Sequence, residues 1–319
     1  MNFPHLAGLL LFTLLSLSAR AETAIVLNSV DENISFIDTQ TYKETGRAPA
    51  CKEPHHLMAT PDDSSVIVAC AISNELVFFD AKTGKEQKRI KNISDPYQLG
   101  FSPDNKWFVA NSLRLDRVDI YKAADFTLVA RVPAASTPSH MAFDKASQFV
   151  FITLQDSNEV LAIDLKTQQP LWKVPVGPTP AGIHMTPDDK YLLVGIMGAN
   201  YVEVIDWRAR KTIKKIITDK AAHNFLPRGD GRHVFVSNRT VQGSISLVDM
   251  KTLTEVEKYD VPGGPDDMEI RADGKELWAT ARFARKVQVV DLDQKKLARS
   301  IPVGRSPHGV SFINHAGRQ

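Results

Sequence analysis

A period of 42 or 43 residues runs through the chain, marked by Pro54, Pro96, Pro138, Pro180, Ala222, Pro265 and Pro307. A fixed period near this length confines a sequence to repeat architectures. Three residues past each marker stands an apolar side chain: Leu57, Leu99, Met141, Ile183, Phe225, Met268 and Val310. Two residues further on, Phe101, Phe143, Met185, Ile270 and Phe312 keep the alternation of a strand. Pro227 interrupts it in the fifth unit, because proline lacks the N–H that a sheet ladder uses. Turn compositions follow, such as Pro61-Asp62-Asp63, Pro103-Asp104-Asn105 and Asp273-Gly274. A second strand comes next, rich in β-branched and aromatic residues, as at 66–69, 107–110 and 191–194. The third ends in an apolar-Asp pair at Asp38, Asp80, Asp164, Asp206, Asp249 and Asp291, with Lys122 in that place in the second unit. The fourth closes on Val-Pro or Val-Gly.

Four short antiparallel strands per repeat, repeated seven times, predict an all-β fold: a seven-bladed β-propeller. The last blade is expected to close with strands from both ends of the chain, 308–313 beside 24–28, 34–38 and 42–47. Such closure removes the exposed edges of an open array. Helical repeats would show a 3.6-residue period, which is absent. Residues 1–21 read as a signal peptide, with an apolar run at 6–17 and Ala19-Arg20-Ala21 before Glu22, which leaves 22–319 as a single propeller domain. The expected location is periplasmic or secreted, with no later membrane span and a monomeric state. With 39 Lys plus Arg against 37 Asp plus Glu, the chain has no global positive field to draw nucleic acid. The Lys-rich run 211–215 reads as the solvated face of an outer strand.

Units such as Val-Glu-Val-Ile-Asp-Trp at 202–207 and Ile-Pro-Val-Gly-Arg-Ser-Pro-His-Gly-Val at 301–310 resemble the YVTN-type propeller repeats of secreted prokaryotic proteins. The resemblance spans residues 22–315. It implies the propeller fold. Proteins of this type include surface proteins, haem d1-associated propellers, quinoprotein-pathway proteins and the copper-binding N-terminal propeller of nitrous oxide reductase, so it leaves function open.

In a propeller, the start of each first strand and the loop after each second strand emerge on one face. The two positions after each marker read His55-His56, Tyr97-Gln98, Ser139-His140, Ala181-Gly182, His223-Asn224, Asp266-Asp267 and His308-Gly309. Polar groups therefore gather on blades five, six, seven and one, and Arg239 and Arg282 share one register in the neighbouring loop. His55, His56, His140, His184, His223, Asp266, Asp267, His308, Arg239 and Arg282 are the candidate ligand-binding residues. Of these, His55, His56, His223 and His308 are the candidate metal ligands, since His beside Asp is a combination that metal sites and proton transfer both use. The bland alternative is that each imidazole caps backbone groups near the channel. Cys51 and Cys70 should reach the same rim, either as a disulfide in an oxidising compartment or, with His55 and His56, as a soft N/S set for copper or zinc.

No Gly-x-Ser-x-Gly, His-Glu-x-x-His, phosphate loop or haem-attachment motif occurs. The expected function is an extracytoplasmic binding module whose His, Asp and Arg face holds an anionic or metal-containing ligand, or a periplasmic partner protein. Copper, zinc and a haem d1-like tetrapyrrole are the cofactors this suits. The alternatives are a propeller enzyme, lactonase-like or of the haem d1-modifying kind, and a purely structural propeller.

Overall fold

The computed structural model describes residues 22–81 and 83–312. The signal-peptide reading of 1–21 and the expected strand residue Ile313 fall outside them. The described residues form seven four-stranded antiparallel sheets with no helix. The first blade runs outward from Pro54–Ala59 through Ser65–Cys70 and Glu75–Asp80 to Glu86–Lys91. Each later repeat does the same, and the seven first strands adjoin one another around a central axis. In the seventh blade Pro307–Phe312 lies innermost and pairs with Thr23–Asn28, followed by Asn33–Asp38 and Lys43–Pro49.

Burial follows position in the blade. Second and third strands touch neighbouring blades on both faces, so they read as nearly continuous β-branched and aromatic runs such as Val66-Ile67-Val68-Ala69. Outer strands such as Lys211–Ile217 are largely exposed, as the lysine run implied. The apolar core is accordingly divided into one cluster between each pair of neighbouring blades. Phe151, Leu192, Val194 and Ile205 fill the space between blades three and four. Trp278, Val289, Ile37 and Phe312 do so between six and seven. The junction made by the two ends of the chain is thus packed like the others.

The turn residues explain the sequence pattern. Between first and second strands, Asp63, Asn105, Asp189, Gly231 and Gly274 all adopt positive φ, which Asn, Asp and Gly tolerate best. Between third and fourth strands, the Oδ1 of Asp38, Asp80 and Asp164 accepts the backbone N–H three residues on, each at 2.7 Å. In the blade with Lys122, Asp125 takes over and accepts from the N–H of Thr127 at 2.9 Å. The expected break at Pro227 does not occur, because Ala222–Pro227 is an edge strand and needs no N–H on the channel side.

Cys51 and Cys70 form a disulfide with Cα atoms 5.8 Å apart, closing a loop of sequence separation 19. The bond removes both sulfurs from the soft N/S set considered above. Replacing both cysteines with alanine should lower the unfolding free energy by about 3 kcal/mol. A urea midpoint that does not move would refute this.

Candidate functional site

Every blade carries the same irregularity where its first strand begins. Pro54 pairs with Cys70 but Leu57 with Val68, so His55 and His56 together oppose the single residue Ala69. The shift recurs in the six other blades. Such a bulge bends the strand and re-aims side chains. Hydroxyls settle it in place: Thr153 Oγ1 accepts from the N–H of His140 and donates to the Ala181 carbonyl of the next blade at 2.7 Å. Thr280 makes the corresponding bonds with Asp267 and His308.

The bulges drive a set of polar side chains together at the axis. The ring centroids of His55 and His308 lie 3.9 Å apart, those of His55 and His56 4.8 Å, and those of His56 and His308 4.6 Å. Tyr97 stacks on His55 at 4.1 Å, and His140 bridges the group, 5.5 Å from His56 and 5.3 Å from His223. Blade four supplies only Ala181 and Gly182, where the His223 carbonyl leaves no room for a Cβ.

Asp266 is the anionic centre. Its carboxylate lies 3.0 Å from His223 Nδ1, 3.3 Å from Arg239, 3.2 Å from Arg282 and 3.6 Å from His308 Nε2. Arg239 also touches Met197 Sδ at 3.3 Å, and Arg282 donates to Ser306 Oγ. The two guanidiniums, at 20% and 26% side-chain exposure, separate the cluster from solvent. The five histidines and Asp266 are at most 6% exposed. The arc is therefore a closed, buried cluster, not an open funnel, and its arginines already face an internal carboxylate.

Burial pushes the imidazoles of His55, His56, His140 and His308 well below their ordinary pKa, with neighbouring cationic groups adding to the effect, and lowers that of His223. Burial alone would raise Asp266, but the hydrogen bond from His223 and the charge of Arg239 outweigh it and hold the carboxyl well below the usual range. With the imidazoles neutral, the guanidiniums are the charges that keep it ionised.

The expectation that these imidazoles cap backbone groups finds no support. His55 Nδ1, His56 Nε2, His140 Nε2, His223 Nε2 and both ring nitrogens of His308 are buried without a hydrogen-bond partner. Each such atom costs about 1–3 kcal/mol, so several together mark a site built for something they can bind. Ligand atoms of His55, His56 and His308 lie within 4.8 Å of one another. Bonds of 2.0–2.1 Å from a tetrahedral ion would place them roughly 3.3 Å apart, so an ion would draw the three rings together. With no free thiol, the donors are imidazole and carboxylate, which suit copper or zinc.

Not every candidate joins the cluster. His184 stacks on Phe225 at 6.2 Å, and burial lowers it to about 4. Asp267, the second residue of its bulge, lines a cavity of about 190 Å³ with His56, Gln98 and Asn224. That volume is below the 300–1,000 Å³ usual for organic ligands. The site as built therefore does not fit a haem d1-like tetrapyrrole. Tyr97 was not among the candidates, although its place directly after Pro96 is the register that marks His55 and His308.

Comparisons with known proteins agree on the architecture. Similar solved structures include a functionally unknown protein from Desulfotomaculum acetoxidans DSM 771, with TM-score 0.79, 15% identity, and coverage of 92% of this chain and 99% of that one. Hydrazine synthase of Kuenenia stuttgartiensis gives 0.70 at 15% identity, covering 82% and 95%. Dihydro-heme d1 dehydrogenase NirN in complex with DHE gives 0.66 at 15% identity, covering 94% and 78%. At these identities the likeness is one of fold. No curated protein matches. The family match extends over residues 8–318, and the chain belongs to the YNCE-like β-propeller family.

Proposed function

We propose that this propeller is an extracytoplasmic metal-binding protein that holds a first-row transition ion, copper or zinc, through His55, His56 and His308. The observation that carries the reading is the set of buried, neutral and unpartnered imidazole nitrogens on these residues. Neutral imidazole is the form that binds metal. Three protein ligands with a position left over match zinc sites that take a further ligand. A periplasmic or secreted setting accords with the disulfide, since such bonds persist in oxidising compartments. A binding role is favoured over a hydrolytic one, because each Asp266 oxygen is already engaged by arginine or histidine.

Elemental analysis and calorimetric titration with Cu²⁺ and Zn²⁺ test the proposal. Wild-type protein should bind one ion, and His56→Ala and His308→Ala should each weaken binding at least a hundredfold with little change in melting temperature of the metal-free protein. Equal affinity in wild type and both variants would return the histidines to a structural role.

A further inference from the structure

The axial cavity beyond the histidine cluster is not explained by metal binding alone. His56 belongs to both, so the cavity begins where the cluster ends. Gln98, Asn224 and Asp267 form its polar end, with Leu99 and Phe225 among the apolar groups below. At about 190 Å³ it has room for several water molecules or one small solute. The feature that sets it apart is Asn224. The residue is 6% exposed and lines the cavity, and its Nδ2 has no hydrogen-bond partner. A buried amide donor of this kind calls for an acceptor.

Gln98 is fixed from the other direction. Its Oε1 accepts the backbone N–H of Met141 from the next blade at 2.5 Å, which leaves its amide NH₂ as the donating end. Charge narrows the ligand further. Asp266 is outnumbered by Arg239 and Arg282, so a divalent ion at His55, His56 and His308 would add to a centre that is already net positive. An anion reduces that excess, and charge-assisted bonds to an anion exceed those to a neutral acceptor.

We infer that the cavity beside His56 is a binding site for a small monoanion, which accepts a hydrogen bond from Asn224 Nδ2 and occupies the remaining coordination position of the metal. This rests on the metal-binding reading above. The ligand class is a monovalent anion of a few heavy atoms, inorganic or a short carboxylate. Its route is the cavity, and not the opposite mouth that Arg239 and Arg282 close.

The test uses protein loaded with Cu²⁺ and titrated with azide, following the azide-to-copper charge-transfer absorption, with copper content measured on the same samples. Wild type should show a saturable band. Asn224→Leu, which removes the donor and fills the space, should weaken azide at least tenfold while copper content stays at the wild-type level. Asn224→Ala, which removes the donor but enlarges the cavity, should weaken it by a similar factor and covers the case in which the leucine variant does not fold. Copper-loaded wild type without an azide band, or equal azide affinity in wild type and Asn224→Ala, overturns the anion site alone. Wild type that takes up no copper overturns the metal reading and this inference together, and the copper measurement tells the two failures apart.

Discussion

Metal-free protein taken from pH 7 to pH 5 should lose stability on the order of 5–10 kcal/mol, comparable with the whole margin of a folded domain. The folded state holds His55, His56, His140, His223 and His308 neutral, because burial depresses their pKa values. Unfolded, the same side chains take up protons near pH 6.5. The unfolded state therefore binds more protons in the window from about pH 6.5 down to the depressed folded values, so stability falls as pH falls through that window and is regained above it. Each of the four imidazoles held well below that value, His55, His56, His140 and His308, contributes about 2 kcal/mol at pH 5. Urea unfolding at half-unit steps between pH 7.5 and 5 checks this. A curve that is flat across that range would show that the cluster admits protons or water freely. Binding of an ion should flatten it, since ligation competes with protonation.

Asp266→Asn should cost about 3–5 kcal/mol, the range seen when one member of a buried charged group is removed. The substitution keeps the shape but leaves Arg239 and Arg282 facing a neutral amide that offers one acceptor in place of two charged oxygens. Replacing both arginines with methionine on that background should recover much of the loss, because an apolar set of similar volume tolerates burial better than uncompensated charge. Denaturant midpoints of the single and triple variants decide it. A triple variant weaker than Asp266→Asn by the full cost of two more lesions would mean that the three side chains act independently.

The fold was legible because a propeller writes its period into the chain: seven markers, recurrent turn aspartates and alternating strands all repeat together. The arc of site residues was legible for the same reason, since the residues after Pro54, Ala222, Pro265 and Pro307 share a register. What could not be read was the consequence of the bulge. One extra residue at the start of each first strand leaves no trace in composition, yet it decides which of two adjacent residues enters the cluster. Asp266 goes to the histidines and Asp267 to the cavity. Tyr97 enters on the same terms, although an aromatic residue near a strand start reads as core. The arginines were expected to reach for an outside anion, but the Asp266 carboxylate, from the next blade for Arg239 and from its own blade for Arg282, captures them first. Pairing across blades of this kind is a long-range fact that no local pattern carries.

His308 stands on the strand Pro307–Phe312, whose hydrogen-bonded neighbour is Thr23–Asn28 at the opposite end of the described chain. His55 and His56 stand on the blade that follows. The three imidazoles therefore come within reach of one ion only after the circle has shut. A partly translated chain, with six blades formed and the seventh unpaired, holds two of the three imidazoles and lacks the third. On the metal-binding proposal, loading would wait until the seventh blade has closed, and an ion held in the cluster would in turn act as a latch across the seam between the first strand and the last.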